Sequence, residues 1–424
     1  MLILSLEKVI TLIHKTDNQK EYDAMKRIVS VLVCLILCFI MMFSFTGCSD
    51  DSDSGTIKIG SIHPLTGSMA YEGQALVNSQ KIAVDYINEN GGINGKMLEL
   101  KVVDSLGTAG GSATAAQKLI NMNVCALTGT YTSGSAQVVS RTAEKAGIPF
   151  VVTVAASDTL LKNGYKYSFR IQPSTVTFSS NFIEYLSSVK TDDMKTVAFI
   201  YEDSNYGTGI AEYIEEHIDE TGLEIVGMIS YSASASTLSS EVTKLISLDP
   251  DIVVPIGYYS DQSLFAKEII DRKVEFPCVI GVANGAFSDA KFTATYGEKA
   301  DGFFDINYRY NPYSEETEYL LSTYREKYGE EIPVCAIYGY ESIMVLADAL
   351  RRAGTTDAEA LRQALAETEM GDHVLPQGAI KFDETGENIN SAGVMIQIQN
   401  GKHVIVYPKE YAEGEIILKK EAKK

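Results

Sequence analysis

The chain has 424 residues, a formal net charge of −20, 45% hydrophobic and 22% charged residues. Its length exceeds what one hydrophobic core ordinarily serves and predicts two domains, while the balanced composition excludes a disordered or fibrous chain. The acidic balance argues against nucleic acid as a partner, because phosphates would be repelled.

In chain order, the first feature is an uncharged apolar run over residues 28–45, preceded by Lys26-Arg27. A basic start, an apolar core and then small residues describe an export signal. Met25 is a natural start for that signal, so residues 1–24 are expected to be a mis-assigned start and 25–47 the signal peptide. The run ends Phe45-Thr46-Gly47-Cys48, which resembles the lipobox of bacterial lipoproteins and implies lipid attachment at Cys48. A permanent membrane span is the competing reading, and the cysteine at the end of the run favours the lipoprotein. Small, acidic residues 48–55 then form a flexible tether.

Beyond the tether, short apolar runs alternate with amphipathic stretches. Strands are expected at Ile57–Ile62, Leu98–Ser105, Cys125–Thr130 and Pro149–Ala155, separated by helices near Gly73–Asn90, Gly110–Asn123 and Ser135–Ala146. Nearly continuous apolar runs are the pattern of a parallel sheet covered on both faces. A second set has strands at Thr196–Asp203, Glu224–Tyr231, Asp251–Tyr258 and Pro277–Ala283, with helices near Tyr206–Thr221, Leu238–Leu248 and Asp261–Lys273. Helices at Glu315–Tyr328 and Val334–Ala353 follow, then strands at Ala379–Asp383, Val394–Gln399 and Lys402–Pro408, the last two joined by the turn signal Asn400-Gly401. The fold class is therefore α/β, with two doubly wound parallel-sheet lobes. Cys125, Cys278 and Cys335 lie in or beside apolar stretches and read as buried thiols.

Ile57-Lys58-Ile59-Gly60, Pro64-Leu65-Thr66-Gly67, Tyr71-Glu72-Gly73 and Ile87–Gly95 together resemble the opening of type I periplasmic binding proteins of the branched-chain amino-acid subfamily. The likeness continues through Ala146-Gly147-Ile148-Pro149, Tyr201–Gly207 and Asp249-Pro250-Asp251. It implies an N-terminal lobe of 56–171 plus 307–386 and a C-terminal lobe of 172–306 plus 387–424. Crossovers would fall near Arg170–Ser174, Asp305–Arg309 and Glu384–Ser391. The implied function is capture of a small amino acid in the interlobe cleft for an ABC importer, whose permease and ATPase would be partners. No cofactor is implied. The alternatives are a binding protein for an amide, urea or other small carboxylate, or a ligand-sensing receptor domain. The implied location is extracytoplasmic, anchored through lipid.

In such sheets ligands bind where strands end and helix N-termini point outward. Ser133, and Ala155, Ala156 and Ser157, occupy two adjacent strand-to-helix loops, and the resemblance assigns Ser133 to a ligand carboxylate. Capping alone is the competing explanation for either serine. Tyr71, Tyr206 and Tyr258 complete the cleft by resemblance. An acid is expected after the strand ending near Ala283, to hold a ligand ammonium, but Ala283-Asn284-Gly285 stands there. Either another acid such as Asp203 or Asp305 substitutes, or Asn284 accepts the ammonium's hydrogen bond, or the ligand lacks an α-ammonium; Asp261 and Tyr259 are further possibilities. Gly207-Thr208-Gly209 half-matches a dinucleotide fingerprint, but Glu212 occupies the third glycine position. His63, His217, His373 and His403 show no metal spacing and are expected at the surface or in satisfied loops. No nucleophile motif is present, so no enzyme is expected.

Overall fold

The computed structural model describes residues 55–418. The predicted signal, Cys48 and the tether through Ser54 lie outside the described residues.

The first lobe is built on a five-stranded parallel sheet: β1 (Thr56–His63), β2 (Met97–Asp104), β3 (Ala126–Gly129), β4 (Phe150–Val152) and β5 (Ser168–Arg170), in the order β2-β1-β3-β4-β5. Helices α1 (Ala70–Glu89), α2 (Ala109–Ile120) and α3 (Ser133–Ala146) connect them. Central strands β3 and β4 are buried throughout, whereas edge strand β2 is mostly half-buried, as expected when helices cover both faces. Capping fixes the helix starts: Thr108 Oγ1 accepts from Gly111 N at 3.0 Å for α2, and Thr132 Oγ1 from Ser135 N at 3.3 Å for α3.

The start of α1 depends on a glycine. A Cβ on Gly73 would lie 1.7 Å from the Pro64 carbonyl oxygen, so only glycine lets the β1–α1 loop close onto the helix. That close approach holds the preceding residues, Tyr71 and Glu72, over the end of the sheet. The helix ends at Glu89, and Gly91 and Gly92 adopt positive φ of 89° and 74° as the C-terminal glycine pair predicts.

At Arg170 the chain leaves the first sheet and forms α4 (Thr175–Leu186), which packs beside α5 (Asn205–His217). The second sheet has seven strands in the order β14-β13-β10-β9-β8-β6-β7, from β6 (Thr196–Glu202), β7 (Glu224–Tyr231), β8 (Ile252–Ile256), β9 (Cys278–Val282), β10 (Phe303–Asn307), β13 (Val394–Gln399) and β14 (Lys402–Tyr407). Strands β6 to β10 are parallel, and β13 and β14 close the edge as an antiparallel hairpin. Its turn places Asn400 and Gly401 at φ 51° and 70°, the left-handed pair that a two-residue hairpin requires. Helices α6 (Ser239–Leu248), α7 (Tyr259–Asp271) and α8 (Ala290–Tyr296) belong to this lobe. The chain then returns to the first lobe for α9 (Glu315–Tyr328), α10 (Ile337–Ala353), α11 (Ala358–Ala366) and the ribbon β11 (Glu369–Met370) and β12 (Ile380–Lys381).

Several elements differ from the sequence reading. Helix α4 is absent from it because Thr175–Leu186 is rich in Ser, Thr and aromatic residues; Ser174 Oγ starts the helix by accepting from Thr177 N at 3.1 Å. Residues Asp305–Asn307, expected within a crossover, belong to strand β10, between β13 and β9 inside the second sheet. His63 is not superficial: it is fully buried on β1, neither ring nitrogen has a partner, and burial lowers its pKa to about 3. No disulfide joins Cys125, Cys278 and Cys335; the latter two are buried and Cys125 is half-buried.

Candidate ligand site

The ends of β3, β4, β8, β9 and β10 converge between the lobes. The chain leaves β3 through Thr130 at φ 70° and leaves β9 through Ala283 at φ 48°. Left-handed geometry is uncommon for residues with a Cβ, and here it turns both strand ends sharply towards the same cavity. That cavity holds about 520 Å³ of empty volume, part of it open to solvent.

One wall comes from the first lobe. Ser133, the first residue of α3, and Ala156 line it. Ser133 Oγ accepts from Ser157 N at 3.1 Å, which binds the two strand-end loops together and leaves the Ser133 hydroxyl hydrogen available. The adjoining helix N-terminus contributes partial positive charge. The other wall comes from the second lobe and carries Tyr206, Tyr258, Ala283 and Asp289. The Tyr206 hydroxyl donates to the Ala283 carbonyl, and the Tyr206 and Tyr258 rings lie 5.2 Å apart between centroids. Tyr131 closes on Tyr258 at 5.9 Å, and Tyr308 in the second crossover donates its hydroxyl to Val154 O at 2.9 Å.

The charged side chains of the lining are two carboxyls, Glu72 and Asp289; no lysine, arginine or histidine is among the lining residues, and Lys291, outside the lining, lowers the pKa of both acids. Glu72 is 6% exposed, and its Oε2 has no hydrogen-bond partner. Burial pushes its pKa up to about 7, with the Asp289 charge adding to the rise. Asp289 caps α8 through Oδ1, which accepts from Lys291 N at 2.9 Å and from the Tyr71 hydroxyl at 3.3 Å; burial pushes its pKa up to about 6. A low-dielectric cleft thus holds two acids with no basic side chain among its lining residues, an arrangement suited to a cationic group.

A family model described as a periplasmic binding protein matches residues 56–402. The chain belongs to the periplasmic binding protein family. This binding protein is 29% identical over 379 residues to the Leu/Ile/Val-binding protein homolog 7 of Brucella suis, a match covering 86% of this chain and 94% of the relative. Among solved structures it is 27% identical to the branched-chain amino acid transporter substrate-binding protein LivJ of Streptococcus pneumoniae, in complex with isoleucine. That TM-score is 0.73, over 82% of this chain and 97% of the other. A solute-binding protein of an ABC transporter from Rhodopseudomonas palustris, in complex with 3,4-dihydroxy benzoic acid, gives a TM-score of 0.74 at 21% identity, covering 82% of this chain and 95% of that one. At such identity the likeness speaks for the fold alone.

Of the residues singled out from the sequence of this binding protein, Ser133, Ala156, Tyr206 and Tyr258 line the cavity. Ala155, Ser157, Tyr71 and Asn284 are not among its lining residues. Ala155 packs into the first lobe's core, with its carbonyl accepting from Gln172 Nε2 at 2.8 Å. Ser157 turns its hydroxyl to Thr159 Oγ1 at 3.1 Å, and Tyr71 reaches across to Asp289. Asn284, one of the candidates for receiving an ammonium, is engaged by its own loop. Its Nδ2 donates to Pro255 O and Gln262 Oε1, and its Oδ1 accepts from Ala286 N and Phe287 N, so the amide is consumed in holding the loop. Asp305 and Asp261 are similarly engaged behind the wall, by Ser288 and Asn307 and by Tyr231 and the Tyr258 amide respectively, and Asp203 is exposed. The Tyr259 ring lies against Tyr71 in a tilted arrangement, 5.8 Å between centroids, outside the lining.

Sequence reasoning missed Glu72, Tyr131, Asp289, Tyr308 and Cys335 as lining residues. Glu72 adjoins Tyr71 and was legible only as part of a motif. Asp289 lies beyond the loop where the acid was sought, and only the fold of Ala283–Ser288 returns it to the cavity.

Proposed function

We propose that this protein is an extracytoplasmic solute-binding protein that captures a small α-amino acid, branched-chain or related, between its lobes and delivers it to an ABC importer. The observation supporting this reading most strongly is the pairing of the Ser133 helix N-terminus on one wall with the buried acid Asp289 on the other. A ligand carboxylate fits the first, through the Ser133 hydroxyl and the amides of the α3 start. An ammonium fits the second. Tyr206, Tyr258 and Ala156 supply contact area for the rest of the ligand.

The proposed lobes are 56–171 with 307–386 and 172–306 with 387–424, and closure about the crossovers would seal the cleft. Lipid attachment at Cys48 would hold the protein at the membrane beside the importer's permease and ATPase. Thermal-shift measurement with amino acids, amides, urea and aromatic acids tests the function: an α-amino acid should raise Tm by the linkage its affinity dictates. A shift with amides or simple acids and none with any α-amino acid would overturn it. Radiolabelled acylation lost in the Cys48→Ala variant tests the anchor.

A further inference from the structure

The charge balance of the cavity points to more than a generic amino acid. We infer that the occupant carries a second positive charge in its side chain, held by Glu72, so that the ligand is a basic amino acid rather than an aliphatic one. This inference rests on the amino-acid reading above and identifies the kind of amino acid.

Charge counting carries it. A ligand carboxylate is met by the α3 N-terminus and Ser133, and an ammonium by Asp289. That leaves Glu72, almost fully buried, lining the same cavity, with an oxygen that accepts no hydrogen bond. A buried carboxyl without a partner is costly, and it persists most readily where a ligand supplies the missing cation. The nearest basic side chain, Lys291, does not discharge it. Lys291 is exposed and forms no ion pair within 4.0 Å among the described residues; its ammonium instead sits over the Tyr71 ring, 4.5 Å from the centroid. Both side-chain hydrogen bonds of Asp289 fall on Oδ1, so Asp289 and Glu72 each retain an oxygen for a ligand donor. The two acids come from opposite lobes, Glu72 on α1 and Asp289 on the loop after β9. Their repulsion opposes closure of the ligand-free cleft, and a ligand cation near each removes it. Four tyrosines, Tyr131, Tyr206, Tyr258 and Tyr308, line the same cavity and offer aromatic contact area to an alkylammonium chain.

Isothermal titration calorimetry of the purified chain with ornithine and lysine, against their uncharged counterparts norvaline and norleucine, decides the question. Ornithine or lysine should bind at least about tenfold tighter than the neutral counterpart of similar length. In Glu72→Gln, with folding verified by its melting curve, that ratio should fall towards one. Equal or tighter binding of norvaline, norleucine or isoleucine by the unaltered protein overturns the inference while leaving the amino-acid reading standing. Binding of no amino acid at all overturns both. Because the unaltered protein alone can support or overturn the inference, a Glu72→Gln chain that fails to fold does not spoil the test.

Discussion

The Tyr71 hydroxyl of the first lobe donates to Asp289 Oδ1 of the second at 3.3 Å, so an interlobe hydrogen bond ends on an acid that itself faces the ligand cavity. The tilted packing of Tyr71 against Tyr259 and the Lys291 ammonium above the Tyr71 ring extend the contact. Tyr71→Phe keeps the ring and removes the bond, which should cost the closed form about 1 kcal/mol and weaken ligand affinity several-fold. Stopped-flow fluorescence should show the loss mainly as faster dissociation; an unchanged off-rate would show that the bond does not hold closure.

Ser133→Ala removes both the hydroxyl offered to the ligand and the acceptor of the Ser157 amide. Loss of a hydrogen bond to a charged group should weaken binding of any carboxylate ligand by about 1.5–3 kcal/mol, while an amine lacking a carboxylate is affected less. Calorimetry on matched ligands with and without the carboxylate measures the difference.

Arg170, fully buried at the end of β5, donates Nε to Glu387 Oε1 at 2.9 Å, pairs a second nitrogen with Oε2, and donates Nη1 to Ser157 O at 2.7 Å. It therefore joins two crossovers to the loop beside Ala156. Arg170→Met leaves the Glu387 carboxylate unpaired and leaves the Ser157 carbonyl with the Leu160 amide alone, and should destabilise the fold by about 3–5 kcal/mol in urea denaturation. Adding Glu387→Leu should recover a substantial part of that loss, since an apolar pair avoids the buried charge; no recovery would mean that the pair is not the cause.

Gly73→Ala places its Cβ against the Pro64 carbonyl, and backbone cannot yield as a side chain can. We expect a loss of stability of about 1–3 kcal/mol and weaker ligand binding, because the first turn of α1 carries Tyr71 and Glu72. A variant with native Tm and affinity would show that the loop moves freely.

The buried acids set the pH response of the ligand-free protein. Burial raises Glu72, Asp261 and Asp305 to about 7, Asp289 to about 6 and Glu341 to about 8. For each, the folded state holds a proton that the unfolded state releases, so stability is full below the unfolded pKa and is lost as pH rises through the folded value. His63 and His403, lowered to about 3 by burial, act oppositely: the unfolded chain binds their protons as pH falls below 6.5. With more acids than histidines in play, Tm should rise on acidification from pH 8 to 6, and Glu341→Gln should flatten that slope by up to about 1.4 kcal/mol per pH unit. A cationic ligand needs the cavity acids ionised, so its affinity should fall over the interval from pH 7 to 6. A Tm that instead climbs steadily with pH would show that these carboxyls are ionised in the native state.

The parallel sheets were legible from the sequence because strands buried on both faces must be apolar along their whole length, as Ile252–Ile256 and Cys278–Val282 are. The Asn400-Gly401 hairpin and the Gly91-Gly92 helix end were legible for a related reason: few residue types tolerate positive φ. Ser133 and Ala156 could be named because strand-to-helix loops face the cleft, and Tyr206 and Tyr258 because the family resemblance implied them. The charge of the site could not. Glu72 stands beside the tyrosine that the family likeness favours, and Asn284, one of the candidates for receiving an ammonium, spends its amide on the loop that brings Asp289 round to the cavity. Local pattern determines which backbone segments are strands, helices and turns, since those depend on neighbours a few residues apart. Which carboxyl is left buried and unpartnered depends on groups separated by more than two hundred residues, and only the packed lobes bring those together.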